Sequence, residues 1–536
     1  MTNVATSTSP VPPVDSTQQR TDLHKTLRRI SEDLRGSVDG WDFKSYVLNM
    51  LFYRFISENL TAYLNAEDPD LDYANLSDED SEYGRSGVVQ DKGFFIAPSQ
   101  LFENVYTDAR EQMKRKVIPP LNETLEQVFK GIESSAVGTE SEEDFKGLFD
   151  DFQVNSNKLG ATVTERNQKL YDLIHEIHEL PFGKFGDNAI DVFGDAYEYL
   201  MQMYASEAGK SGGEFFTPQE VSEVLARIAA SGKTTIHSVY DPACGSGSLL
   251  LKAAKVLGKD NVGGFYGQEI NLTTYNLARM NMILHDIGFE NFDIQRADTL
   301  TSPQHDDVEP FEIIVSNPPY SRKWKGKDDP ILINDERYSP AGVLAPKRFA
   351  DWAFNMHMLS YLDVDGTAAI VSYPGAMYRR GTEKTIREYM IKNNLVQTVI
   401  QLPSDLFFGP SITTYILVIK KSKTDNLIHF VDASHFFKRI GKKNKLLPEH
   451  QDAIVDLYEA RSDVEYVAAL VPNEDVLANG ANLSTNAYIE REDVREVVDV
   501  VTLNEELRQI GSRLEVLRES IDEIVSELEG AGDSNV

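Results

Sequence analysis

The chain has 536 residues, of which 41% are apolar, and carries a formal net charge of −32. That acidity excludes a protein that wraps DNA unaided, so a partner would supply much of any phosphate contact; a plain gain in solubility accounts for the charge equally well. A single cysteine, Cys244, excludes an internal disulfide and a multi-cysteine zinc site, and fits a reducing cytoplasm.

In chain order, residues 1–18 are rich in Ser, Thr, Pro and Val and read as a disordered tail. Residues 19–185 read as a helical interaction domain. Phe43, Tyr46, Val47, Met50, Leu51, Tyr53, Phe55 and Ile56 fall at helical spacing, crowded enough for burial on most sides. Glu67 to Gly93 is acidic and Gly/Ser-containing, and reads as a loop or insertion. Further helix is expected at Leu121–Ile132 and Leu170–Ile177, where His175 and His178 lie on a solvated face rather than at a metal. No apolar run approaches the roughly 20 residues of a membrane span, and the N-terminus lacks a signal-peptide core.

An α/β unit occupies residues 186–425. Gly213, Glu214, Phe215, Phe216, Thr217, Pro218 and Gln219 open a helix running to about Ile228. A strand at Ile236–Tyr240 leads into Asp241, then a turn through Gly245, Ser246, Gly247 and Ser248, then a helix at Leu249–Leu257. A dinucleotide-binding turn needs a third glycine, and Leu250 stands in that place. An acid at the strand end repels an anion and suits a cationic, hydroxyl-rich ligand. S-adenosyl-L-methionine, with sulfonium, ammonium and ribose diol, has both features. The next strands end at Glu269, placed for the ribose hydroxyls, and at Asp298, placed for an adenine amino group. Ser231-Gly232-Lys233-Thr234 echoes a phosphate-binding loop, but it precedes a strand and has Arg227 where glycine is required.

The apolar strand Phe311–Ser316 stops at Asn317, Pro318, Pro319 and Tyr320. This turn presents an amide, a carbonyl and an aromatic ring where open α/β sheets bind ligands. It can grip the exocyclic amino group of a flat molecule; equally, Asn-Pro-Pro can be a strand-ending turn. The segment to about Ala350 is basic and aromatic, with Arg322, Lys323, Trp324, Lys325, Lys327, Arg337, Tyr338, Lys347 and Arg348, and reads either as a nucleic-acid contact or as a solvated loop. Helix–strand alternation then resumes to Ile419, with Phe407-Phe408-Gly409 between the last two strands. Residues 426–488 read as a mixed extension. Within 489–536, Val500, Leu503, Leu507, Ile510, Leu514, Leu517, Ile521, Ile524 and Leu528 form a heptad seam that requires a partner helix.

Together these motifs resemble the S-adenosylmethionine-dependent amino-methyltransferases of DNA, and more closely the modification (M) subunit of type I restriction–modification systems. Leu34-Arg35-Gly36 with Tyr46 and Leu51-Phe52-Tyr53, Gly213–Pro218, Asp241–Gly247 and Asn317–Tyr320 carry the resemblance. It implies a Rossmann-like methyltransferase core between a helical domain and a coiled-coil-like helix, and no metal. It also implies adenine-N6 methylation of DNA, with a separate specificity subunit reading the sequence. Two M subunits would join one specificity subunit, and restriction subunits would complete the complex. In that reading Asn317 and Pro318 hold the amine, Pro319 stiffens the turn, and Tyr320 stacks on a flipped base with Phe408 on its other face. Arg322, Lys323, Trp324 and Lys325 would touch nucleic acid. Cytosine-N4, RNA or protein-glutamine methylation and a catalytically silent assembly subunit are the rivals.

Overall fold

The computed structural model describes residues 21, 23–28, 42–180, 182, 192–207, 217–326, 329–407, 412–441, 443–490 and 500–532. The expectations for residues 1–18, Leu34–Gly36, Glu214, Phe215, Phe216, Lys327 and Phe408 lie outside the described residues. Two compact units result, one reaching Ile489 and one beginning at Glu490.

The helix Asp42–Glu67 is apolar almost all round because it sits at the centre of the helical region. Helices Phe102–Lys114, Val163–His178 and Val192–Glu207 pack on it. Met50, Leu51, Phe52 and Tyr53 are completely buried. Arg54 donates to the carbonyls of Ile177 (2.5 Å) and His178 (3.1 Å), satisfying the end of a neighbouring helix. Residues 67–93 are not a plain loop. Ser77 caps the short helix Asp78–Ser81 by accepting from the Asp80 amide, and the helix Arg85–Lys92 ends at Gly93, whose φ of 83° needs glycine. Nor is the His175 face fully solvated: its Nδ1 lies 2.9 Å from the Tyr106 hydroxyl, and His178 stacks on the same ring.

The α/β region is built on strands β1 (Val239–Asp241), β2 (Phe265–Glu269), β3 (Phe292–Arg296), β4 (Phe311–Ser316), β5 (Leu362–Ser372), β6 (Val396–Gln401), β7 (Tyr415–Lys420) and β8 (Leu427–Asp432). A small hairpin, β9 (Lys438–Ile440) with β10 (Lys443–Lys445), precedes β11 (Ala468–Pro472). The main sheet has nine strands in the order β11-β8-β6-β7-β5-β4-β1-β2-β3. β7 and β11 run against their neighbours and all other pairings are parallel. Residues 426–488 therefore continue the same sheet through β8 and β11.

Alternation along the strands feeds two cores. Ile313 and Val315 face the helices Gln219–Ala230 and Ser248–Leu257, while Ile314 faces Trp352, Met356 and Met358 of the helix Asp351–Tyr361. Strand order reverses between β1 and β4, so the crevice at their carboxyl ends is the place where such sheets hold ligands. Asp241 ends β1 and Asn317 follows β4. The helical region is fastened to this unit through the buried Arg279, which donates to the carbonyls of Glu143 (3.0 Å), Asp144 (3.1 Å) and Lys146 (3.0 Å).

Candidate active site

The turn after β1 is held in a tight left-handed path. Gly245 (φ 55°) and Gly247 (φ 76°) occupy conformations that side chains resist. The Cys244 amide donates to the Gln268 carbonyl (3.1 Å), docking the turn on β2. Close packing demands Gly267 there, because a Cβ would come 3.0 Å from the Cys244 sulfur and 2.8 Å from Ile294. The Glu269 carboxylate accepts from the amides of Gly245 (3.2 Å) and Asn271 (2.8 Å). Asp241, 1% exposed, accepts from the Ser316 hydroxyl (2.7 Å) and the Ala243 amide (3.0 Å). Ser316, the residue before Asn317, thereby ties the end of β4 to the acid that ends β1.

Among the described residues no positive side chain pairs with Asp241. Burial, with the Glu269 charge adding to it, pushes its carboxyl up to about 7. Burial also raises Glu269 and raises the Cys244 thiol well above its ordinary range, which leaves that sulfur inert. Ser246 and Ser248 are buried at the start of the helix Ser248–Leu257; Asn281 holds the Ser246 carbonyl (3.0 Å), while the Ser246 hydroxyl has no partner among the described residues. Asp298 is exposed on the loop after β3 and accepts from the Leu300 amide (3.1 Å). That loop is sewn to the turn by the Thr299 hydroxyl, which donates to the Pro242 carbonyl (2.6 Å). Two acids and an unpartnered hydroxyl around a glycine turn fit a cationic ligand with hydroxyl groups and disfavour an anionic one.

At the end of β4 the Asn317 amide is bracketed. Its Nδ2 donates to the Thr217 hydroxyl (3.0 Å), and its Oδ1 accepts from the Tyr320 hydroxyl (2.6 Å). Burial, aided by Asp351, pushes the Tyr320 phenol up, so it remains a donor at neutral pH. Pro318 is buried, and Pro319 and the Tyr320 ring are half-buried. Ser321 takes a left-handed turn (φ 51°) that is rare for a residue with a side chain. Asp351 accepts from its amide (3.3 Å) and Arg379 reaches its hydroxyl (3.2 Å). Arg379 also pairs with Asp351 (3.5 Å) and Glu383 (3.3 Å) and lies over the Phe349 ring. Glu383 is pushed up to about 7 by burial. Thr217 is buried beside Pro218, and Gln219 donates to Glu198 (3.1 Å).

The basic segment divides. Arg322, Lys323, Lys325, Lys347 and Arg348 are exposed. Lys323, Lys325 and Lys347 line an open cleft of about 410 Å³ with Asp329 and Pro330. Trp324 lines the same cleft but is largely buried: its ring meets Tyr338 edge-on, and its indole N–H donates to the Pro346 carbonyl (3.1 Å). Arg337 is buried as well. It pairs with Asp335 (2.7 Å), donates to the carbonyls of Thr299 (2.7 Å) and Leu300 (3.0 Å), and donates to His357 Nδ1 (3.1 Å). With Nδ1 accepting, the neutral His357 ring carries its proton on Nε2, 2.9 Å from the Tyr240 hydroxyl. Sequence reasoning missed Ser316, Asp351, Arg379 and the scaffold role of Arg337, because their partners lie far away in the chain.

A doubly wound sheet with an antiparallel β7, acids at the ends of β1 and β2, and Asn-Pro-Pro-Tyr after β4 defines a Rossmann-like methyltransferase. Residues 188–497 match the family described as N-6 DNA Methylase, and residues 23–177 match the HsdM N-terminal domain. The chain is 46% identical over 530 residues to the type I restriction enzyme MpnII methylase subunit of Mycoplasma pneumoniae, covering 96% of this chain and 97% of that one. The solved type I restriction-modification methyltransferase subunit from Streptococcus thermophilus superposes with a TM-score of 0.79 at 32% identity, over 88% of this chain and 100% of that one. The chain therefore belongs to the N-6 DNA methylases, among the methylase subunits of type I restriction enzymes. Its enzyme class is the adenine-specific DNA methyltransferase. A chain solved in a study of type I complex assembly shares the fold at 19% identity, with a TM-score of 0.60.

Proposed function

We propose that this subunit methylates the N6 amino group of an adenine flipped out of duplex DNA, using S-adenosyl-L-methionine, within a complex whose specificity subunit reads the sequence. The observation that carries the reading is the Asn317 amide, presented at the end of β4 and joined through Ser316 to the buried acid that ends β1. Asp241, Gly245–Ser248, Glu269 and Asp298 would hold the cofactor, with Glu214–Gln219 closing over it. When bound, the cofactor supplies an electrophilic methyl group on a cationic sulfur.

The chain's own residues prepare the amine. Asn317 Oδ1 and the Pro318 carbonyl accept its two N–H bonds, which favours a pyramidal nitrogen with its lone pair free. Transfer would break the methyl–sulfur bond, leaving its electron pair on sulfur, as the N–C bond forms, and the nitrogen would shed one proton to solvent. Tyr320 must first release Oδ1, where its hydroxyl stands in for the substrate N–H, and its ring then stacks on the extruded base, opposite Phe408. Arg322, Lys323, Lys325 and Lys347 supply local phosphate contact; the −32 charge supports a partner supplying the rest. The exposed seam of the helix Val500–Gly532, from Leu503 to Leu528, supports assembly with the specificity subunit and a second M subunit, with restriction subunits joining the full complex.

The test is transfer of tritiated methyl groups to DNA by the chain with and without its specificity subunit, followed by nucleoside analysis. Label in N6-methyladenine only with the partner present is the expected result, and Asn317→Ala should abolish it while cofactor binding persists. Label in N4-methylcytosine, or full transfer by the chain alone, would refute the reading.

A further inference from the structure

We infer that Thr217 is the positioning residue of Asn317: its hydroxyl holds the amide nitrogen so that the amide oxygen faces the incoming amine. This rests on the proposed role of Asn317 and gives Thr217 a further role, towards the reacting base, beside its place in the segment next to the cofactor.

An asparagine amide has an acceptor and a donor end of nearly equal shape, and only the acceptor end can receive an amine N–H. A side chain free to rotate by half a turn presents the wrong group in a large share of encounters. Two bonds orient the amide here, Nδ2 to Thr217 (3.0 Å) and Tyr320 to Oδ1 (2.6 Å). They are not equivalent once a base arrives. The Tyr320 bond occupies the acceptor that the substrate needs, so it breaks on binding. The Thr217 bond uses the opposite end of the amide and can persist.

Thr217 is well built for this. It is 5% exposed and is followed by Pro218, whose ring restricts φ. The Pro218 carbonyl accepts from the amides of Val221 (2.9 Å) and Ser222 (3.0 Å), closing the first turn of the helix Gln219–Ala230. Val221, Val224, Leu225 and Ile228, all fully buried, anchor that helix against the sheet. The hydroxyl is thus fixed to the same core that fixes β4, and its distance from Asn317 does not depend on a mobile side chain.

The experiment compares Thr217→Val, which keeps the shape and removes the hydroxyl, with Thr217→Ser, which keeps the hydroxyl. Each full-length variant is assembled with its specificity subunit and assayed on polymerase-amplified, methyl-free DNA with tritiated S-adenosylmethionine; cofactor affinity is measured separately by calorimetry. Losing one neutral hydrogen bond that orients the reacting group should lower the T217V kcat by roughly three- to tenfold. T217S should recover most of that loss, and any change in cofactor Kd should be too small to account for it. Wild-type kcat in T217V would overturn the inference. So would a T217V defect that appears as weaker cofactor binding and vanishes at saturating cofactor. Failure of the underlying reading is separable, because Asn317→Ala would then retain transfer whatever Thr217 does.

Discussion

Asp241→Asn should change the pH dependence of stability in a way that follows from the position of this carboxylate. The group is 1% exposed, accepts two hydrogen bonds on one oxygen, and has its ionisation pushed from 3.8 up to about 7, chiefly by burial. Because the folded value is raised, the folded protein holds the proton between those limits while the unfolded chain has lost it. Stability tied to this group is therefore present at low pH and is lost as pH rises towards 7 and beyond. The full shift corresponds to about 4 kcal/mol, of which roughly 3 kcal/mol falls between pH 5 and pH 8. Asparagine keeps the oxygen that accepts from Ser316 and Ala243 but never ionises. It buries an unpaired N–H at a cost of about 1–3 kcal/mol, and that cost is the same at every pH. The stability of D241N minus that of wild type should thus rise by roughly 3 kcal/mol from pH 5 to pH 8. Urea unfolding of the ligand-free chain at both pH values measures this double difference. Saturating S-adenosylmethionine should favour the ionised wild-type carboxylate and so oppose the gain. A difference that stays constant across pH would refute the account of Asp241 as a buried acid awaiting a cation.

Two further outcomes follow from exposed features. Replacing Lys323, Lys325 and Lys347 together by alanine should weaken DNA binding evenly across sequences. It should also reduce the slope of log affinity against log salt by about 0.9 for each phosphate that is no longer neutralised. Fluorescence anisotropy at several salt concentrations reads this, and an unchanged slope would count against the cleft. Removing residues 500–536 should leave cofactor binding intact but prevent co-elution with the specificity subunit on size exclusion, since each seam Leu or Ile gains roughly 1.5–3 kcal/mol when fully buried. An intact complex would show that the seam serves something else.

The core of the site was legible because its signals are local in the chain. An acid at the end of β1, glycines in the following turn, Glu269 at the end of β2 and two prolines after β4 each depend on a handful of neighbouring residues, and strand order then brings them to one crevice. The heptad seam is equally local: its spacing alone specifies the stripe, and the helix Val500–Gly532 carries it exposed. Composition misled where burial was the deciding quantity. Arg337 looked like a nucleic-acid contact because it stands in a basic segment, but packing takes its guanidinium inward onto the loop after β3. Cap chemistry at Ser77 and Gly93 was present in the acidic stretch, yet charge concealed it.

By itself, then, the amino-acid sequence determined the order of strands and turns, the identity of the polar groups that end them, and the apolar stripe along the last helix. Only the tertiary structure decided which hydroxyl orients Asn317, which carboxylate and guanidinium clamp the turn after Tyr320, and which cations face outward where a phosphate can reach them. Thr217 and Asn317 are 100 residues apart, and Ser321 and Arg379 are 58 apart. Hydrogen bonds between such groups exist only after packing has fixed their separations, and no local periodicity encodes them.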